Sequence, residues 1–275
     1  MCLIAFAIGA SPHWPLVIAA NRDEFLNRPA LPLARWTTAA GQPVISGRDL
    51  LAGGTWLGAT PGGRIAFLTN VREGKPLTAP RSRGGLVTRW LEADSDAESF
   101  VATLEEEFGD YGGFNLVLGD FHRNSWSWVT NKGAPTSPEW QMQALRPGVY
   151  GLSNAALDTP WPKTVELKCV LHTALAAQSD AADLDALQAP LWQALGSRQR
   201  ASASCLPATG VALALEEALS SPFVEFPENS YGTRNSTLVL ATSSCEIRIL
   251  ERTHLRDSSP ESQTGFSESG VVFSL

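Results

Sequence analysis

Apolar positions along the chain cluster in runs of strand length. Residues 2–8 (Cys2-Leu3-Ile4-Ala5-Phe6-Ala7-Ile8) and 15–20 are near-continuous apolar runs separated by Ser11-Pro12-His13-Trp14-Pro15. Weak alternation over such short runs predicts strands buried on both faces, and the intervening turn residues predict a hairpin. Residues 25–50 read as irregular, with Pro29 and Pro32 excluding a helix. Gly53-Gly54-Thr55-Trp56-Leu57-Gly58 predicts a glycine-rich turn into a strand, and Gly62-Gly63 a second turn leading to strand Arg64–Asn70. Residues 71–83, polar and rich in Pro, Arg and Gly, read as a surface loop.

Helical spacing follows at Leu86–Leu91 and Ala97–Phe108, with Asp94-Ser95-Asp96 supplying an N-cap for the second helix. Runs 114–120, 125–129 and 149–154 return to strand. Thr159-Pro160-Trp161-Pro162 opens a further helix, whose apolar stripe is Val165, Leu167, Val170, Leu171, Ala174 and Leu175. Two more helices are predicted at 182–195 and 211–220, and strands at 233–241, 245–252 and 270–274. Strands at both ends with helices between them predict an α+β fold, one domain over 1–275 with a central pair of sheets covered by helices.

Composition narrows the function classes. Hydrophobic residues make up 44% and charged residues 18% of the 275, enough to bury a sizeable core. A net charge of −7 without any basic cluster argues against a nucleic-acid partner. The four cysteines, at 2, 169, 205 and 245, are too scattered for a zinc site or a disulfide framework and fit a reducing compartment. No secretory signal or membrane-spanning run is present, so the expectation is a soluble, cytoplasmic protein.

The candidate chemistry begins at Cys2. Aminopeptidases commonly remove a methionine that precedes a residue as small as cysteine. Removal would give residue 2 both a thiol and an α-amine that titrates near neutrality, a base able to activate its own nucleophile. A buried structural cysteine is the alternative for this position. Polar residues recur at the ends of apolar strands: Arg22 and Asp23 after the second strand, Asn70, Asn154, and Arg234 at the start of a later one. Rigid strand ends hold catalytic groups well. An arginine there would lower a thiol pKa or hold a carboxylate, a carboxylate would orient the amine, and asparagine amides would donate to an oxyanion. Taken singly, the asparagines also suit turns, and Arg22-Asp23-Glu24 a solvated charge run.

Met1-Cys2-Leu3-Ile4 with Asn21-Arg22-Asp23-Glu24 resembles the NRDE family, whose animal members are called transport and Golgi organisation protein 2. Gly53–Gly58, Leu68-Thr69-Asn70, Arg83-Gly84, Tyr111–Leu116, Tyr150–Asn154, Thr159–Lys163 and Tyr231–Asn235 extend the resemblance over most of the chain, weakest at 178–210 and in the C-terminal tail. That family is similar in turn to N-terminal-nucleophile hydrolases, which implies a four-layer αββα sandwich. The resemblance implies a site of Cys2, Arg22, Asp23, Asn70, Asn154 and Arg234 acting on a small acyl amide or thioester, with no metal and no cofactor required. In the acylases of that group the arginine and aspartate stand three apart. Here Arg22 and Asp23 are adjacent, so either Asp23 or Glu24 is the amine's partner. The resemblance also implies a second reading, a carrier of haem or acyl-CoA, with the Cys2 thiolate as haem ligand. The sequence has no Cys-Pro pair or CxxCH, and His13, His122, His172 and His254 are isolated.

Overall fold

The computed structural model describes residues 2–74, 79–132, 140–178, 183–254 and 265–275. Parts of the predicted loop 71–83 and the first residue of the predicted helix 182–195 lie outside them. In chain order the elements are β1 (Cys2–Ile8), β2 (Leu16–Phe25), β3 (Ala30–Thr37), β4 (Pro43–Asp49), β5 (Leu57–Ala59), β6 (Arg64–Asn70), α1 (Gly84–Glu92), α2 (Ala97–Ala102), β7 (Phe114–Asp120), β8 (Ser125–Thr130), β9 (Gln141–Ala144) and β10 (Gly148–Leu152). There follow α3 (Pro162–Ala176), α4 (Leu184–Leu195), α5 (Leu213–Ala218), β11 (Glu225–Phe226), β12 (Tyr231–Ala241), β13 (Glu246–His254) and β14 (Phe266–Ser274).

The strands form two antiparallel sheets of seven. The first runs β10-β1-β2-β12-β13-β14, with β11 on β12, and the second is a meander from β3 to β9. Period-two geometry explains why β1 reads as one apolar run. Ile4, Phe6 and Ile8 enter the core between the sheets, while Leu3, Ala5 and Ala7 pack under α3 and α4 with Leu167, Leu171, Leu187 and Leu191. The second sheet divides in the same way. Ile65, Phe67 and Val117 face the first sheet, whereas Ala66, Leu68, Leu116 and Leu118 meet Leu86, Val87, Trp90 and Phe100 of α1 and α2. The result is the expected four-layer αββα order.

Three local readings change. The stretch 25–50 is not irregular but contains β3 and β4. Pro32 is accommodated because β3 is the edge of its sheet and its pairing shifts between Leu31 and Ala34. The helix predicted over Ala97–Phe108 ends at Ala102 and continues as a 3₁₀ turn from Glu105 to Asp110. Asp96 caps its start, accepting from the Ser99 N–H at 2.8 Å. On α3, Val165 is half exposed, and Leu167, Leu171, Ala174 and Leu175 carry the buried face.

Candidate active site

Antiparallel pairing sets the site. Cys2 stands opposite Arg22, so the two side chains share a face of the sheet, the one turned toward the second sheet. The Arg22 guanidinium lies 4.1 Å over the Trp56 ring and donates from Nη2 to Asp49 Oδ2 at 3.3 Å. Asp23, one residue on, points to the helix-covered face. Its Oδ1 accepts from Thr233 Oγ1 at 2.7 Å, and its carbonyl accepts from the Tyr231 hydroxyl at 2.7 Å. Adjacency in sequence therefore separates the pair across the sheet. Arg22 joins the thiol, and Asp23 joins a buried polar layer beneath it.

A cavity of about 90 Å³ surrounds the thiol, walled by Cys2, Arg22, Asp23, Glu24, Arg28, Asp49, Thr55, Trp56, Leu68, Asn70, Ser82, Arg83 and Gly84. Gly53, with φ +79°, takes a conformation that suits glycine, and a Cβ on Gly54 would come within 2.4 Å of the Gly84 backbone. This tight contact brings the start of α1, with Arg83, against the cavity. Beyond Glu24, Arg28, Asn70 and Arg83, which line both spaces, the cavity meets a groove of about 580 Å³.

Burial pushes the Cys2 thiol up and Asp23 adds to this, while Arg22 and a hydrogen bond from the Asp23 backbone N–H oppose it. At neutral pH the thiol therefore keeps its proton until a base removes it. Burial likewise pushes Asp23 up, against the pull of Lys163. Lys163 is 2% exposed at the first turn of α3 and donates from Nζ to the Leu219 carbonyl at 2.8 Å. Burial lowers its pKa to about 8. Asp49 is pushed up by burial, but hydrogen bonds from Arg28 and the Ala52 N–H outweigh this and hold it below the usual carboxylate range.

Of the six residues singled out from the sequence, Cys2, Arg22, Asp23 and Asn70 line the cavity. Asn154 does not. It is buried behind the wall, and its Nδ2 donates to the Asn70 carbonyl at 2.8 Å while its own carbonyl accepts from the Arg72 N–H at 2.7 Å. Arg234 sits at the irregularity in β12 between Thr233 and Asn235 and is not among the residues that line the cavity. Its Nη1 donates to the carbonyls of Phe25 (3.0 Å) and Arg28 (2.8 Å), stapling the turn after β2. Glu24 is held by cations, 3.9 Å from Arg22 and 3.7 Å from Arg28. Sequence reasoning gave no role to Arg28, Asp49, Trp56, Arg83 or Lys163. The signals present were the motifs Gly53–Gly58, Arg83-Gly84 and Pro162-Lys163, each of which looks structural until the fold brings it to Cys2. Among the described residues there is no cluster of His, Cys, Asp and Glu fit to hold a metal ion, and no helix is long and apolar enough to cross a membrane.

The fold is shared with a solved mutant of conjugated bile acid hydrolase from Clostridium perfringens, at TM-score 0.53 and 8% identity, covering 100% of this chain and 97% of that one. Relatives by sequence include the transport and Golgi organization 2 homologs of Mus musculus, 32% identical over 267 residues (93% of this chain, 94% of the relative), and Homo sapiens, 31% identical over 264 residues (92% of each). The Drosophila melanogaster protein is 29% identical over 274 residues, covering 92% of each. With its family model, "Transport and Golgi organisation 2", matching residues 1–256, the chain belongs to the Transport and Golgi organisation 2 family.

Proposed function

We propose that this chain is an N-terminal-nucleophile hydrolase that cleaves a linear amide or thioester of a small acyl compound at Cys2. The observation that carries the reading is the position of the thiol. It lies at the start of a central strand, in register with Arg22, inside a small cavity that leads to a larger groove. The shared fold with a conjugated bile acid hydrolase agrees with this reading.

Removal of Met1 frees the Cys2 amine, which takes the thiol proton as sulfur attacks the carbonyl carbon. Asn70 and Arg22 stand in the wall as donors to the oxyanion. Asn154 acts at one remove, through its hydrogen bond to the Asn70 backbone. The C–N or C–S bond to the leaving group breaks as the amine returns its proton to that group. Water then attacks the acyl-thioester, its proton passing to the amine and on to the departing Cys2 sulfur, and the acid is released. Asp23, held by Thr233 on the helix side of β2, is a carboxylate that acts on the Cys2 thiol. The alternative in which a Cys2 thiolate binds haem iron fits less well, because the cavity of about 90 Å³ at Cys2 is below the ~300 Å³ at which sites for sizeable ligands begin.

Intact mass should show loss of Met1, and Cys2→Ala should lower turnover of a cleavable acyl amide or thioester by at least about a thousandfold. Its melting temperature should stay close to the parent's. Unchanged turnover in Cys2→Ala would overturn the proposal.

A further inference from the structure

The cavity is lined by three arginines, Arg22, Arg28 and Arg83, and three acidic residues, Asp23, Glu24 and Asp49. They do not pair one to one. Asp23 is turned to the helix-covered face, where Thr233 donates to it and Lys163 is the cation acting on it most strongly. Glu24 and Asp49 are both engaged by Arg22 and Arg28, with Arg28 Nε 2.6 Å from Asp49 Oδ2. Arg83 is left over. Among the described residues it has no carboxylate within ion-pair distance, and its Nη1 donates to the Gly113 carbonyl at 3.2 Å. A guanidinium carries five N–H donors, so most of its capacity is unspent.

A second donor is also unmet. Nη1 of Arg22 has no hydrogen-bond acceptor among the described residues, although the residue is 5% exposed. Buried guanidinium donors normally find oxygen partners, and an orphaned one in a cavity wall points to an oxygen supplied by a ligand.

Arg83 borders both the cavity at Cys2 and the adjoining groove. The groove is largely apolar, lined by Phe25, Val71, Val211, Leu215, Phe226 and Tyr231. A ligand that satisfies both spaces has an apolar chain and an anionic group, and the anion must lie close to the reacting carbonyl, since Arg83 and Cys2 share one small chamber. An α-carboxylate one carbon from an amide nitrogen meets that distance. The phosphates of an acyl-CoA, at the far end of the pantetheine arm, do not, and a neutral amide gives Arg83 no charged partner.

We propose that the Cys2 site takes an N-acyl amino acid: its apolar acyl chain in the groove, its amide carbonyl at Cys2, and its α-carboxylate on Arg83. The volume beside the thiol restricts the amino acid to a small one such as glycine. Arg83 is then the residue that sets specificity. The assignment rests on the hydrolase reading above. In the reaction it implies, the amide C–N bond breaks, the amino acid leaves with the proton first taken from the Cys2 thiol, and water releases the fatty acid.

The test uses full-length protein carrying Cys2→Ala, so that ligands bind without being consumed. Calorimetry compares N-dodecanoylglycine with its neutral counterpart N-dodecanoylglycinamide. The acid should bind at least about tenfold more tightly, in line with a charge-assisted hydrogen bond. Adding Arg83→Gln should remove that preference, and Arg83→Lys should keep part of it. Equal binding of acid and amide, binding of neither, or a preference that survives Arg83→Gln would overturn the assignment. The acid–amide comparison stands even if Arg83→Gln fails to fold. A separate arm keeps Cys2 and follows release of acid from N-dodecanoylglycinamide and from a dodecanoyl thioester. Turnover there without any preference for the carboxylate would leave the hydrolase reading intact and remove this one.

Discussion

The two ends of the β1–β2–β12 trio are built from the same three strands and differ in nearly everything else. At one end Ile8 pairs with Leu16 and Leu16 with Ala241, all buried and apolar. At the other, Cys2 pairs with Arg22, and Asp23 with Thr233, with Lys163 buried close by. Antiparallel order makes the second end follow from the first, because the start of β1, the end of β2 and the start of β12 must meet. A slip of one residue would move Phe6 off the core face and turn Cys2 away from Arg22. The apolar part of the trio therefore fixes the register by which the polar end is assembled.

Phe6→Ala tests that dependence most severely. Phe6 is fully buried, stacks on Tyr150 at 5.3 Å and meets Phe67 of the other sheet edge-on at 5.1 Å. Truncation should cost about 3–5 kcal/mol in denaturant unfolding. Turnover per folded molecule should change little, since the backbone register is also held by the neighbouring pairs. A loss below about 1 kcal/mol would mean that this stretch does not set the register.

The next effect is electrostatic. Glu251 of β13 is 1% exposed, and its Oε1 accepts from the Leu33 N–H of β3 at 2.8 Å, joining the two sheets. Burial raises its pKa from 4.5 to about 7. The folded state then holds a proton that the unfolded chain has released, so stability falls as pH rises between those two values. Above the folded pKa the penalty is on the order of 3 kcal/mol. Glu251→Gln keeps an acceptor and cannot ionise. Relative to the parent it should gain roughly 2–3 kcal/mol between about pH 5 and pH 8, read from urea unfolding at each pH. Lys163 works in the opposite direction at higher pH. Its pKa is lowered from 10.5 to about 8, so the unfolded chain holds the extra proton and stability rises with pH across that window. A parallel pH dependence in parent and Glu251→Gln would show that Glu251 is ionised in the fold.

Much of this arrangement was legible in the sequence because β1 is an unbroken apolar run that begins at Cys2 and the apolar run of β2 gives way to Asn21-Arg22-Asp23-Glu24. Cys2, Arg22, Asp23 and Asn70 could be named as strand-end residues, and they do line one cavity. Asn154 and Arg234 occupy the same kind of position, but whether such a residue faces a cavity or staples a backbone depends on strand pairing. The irregularity in β12 beside Arg234 leaves no mark in the sequence. Lys163 follows a proline at a helix start, where a lysine is ordinarily solvated, and it is buried only because α3 packs on the first sheet. Arg83 closes a polar loop, and its lack of a carboxylate partner among the described residues becomes visible only when the carboxylates around the cavity are assigned.

The smallest expected effect bears on how the polar end is held. Thr233 is 1% exposed, donates to Asp23 Oδ1 at 2.7 Å and accepts from the Val224 N–H at 2.9 Å. Thr233→Val keeps the shape and removes both bonds. Stability should fall by about 1–2 kcal/mol in urea unfolding near neutral pH. The Thr233 hydrogen bond is one of the influences holding the Asp23 carboxyl down, so its loss should move Asp23 further up. If Asp23 must be ionised for turnover, the acid limb of the rate profile will shift to higher pH in Thr233→Val while Phe6→Ala leaves it in place. That contrast separates a residue that tunes the site from one that only builds the sheet. An acid limb that moves equally in both variants would mean that the polar end has no electrostatic identity of its own and responds only to loss of stability.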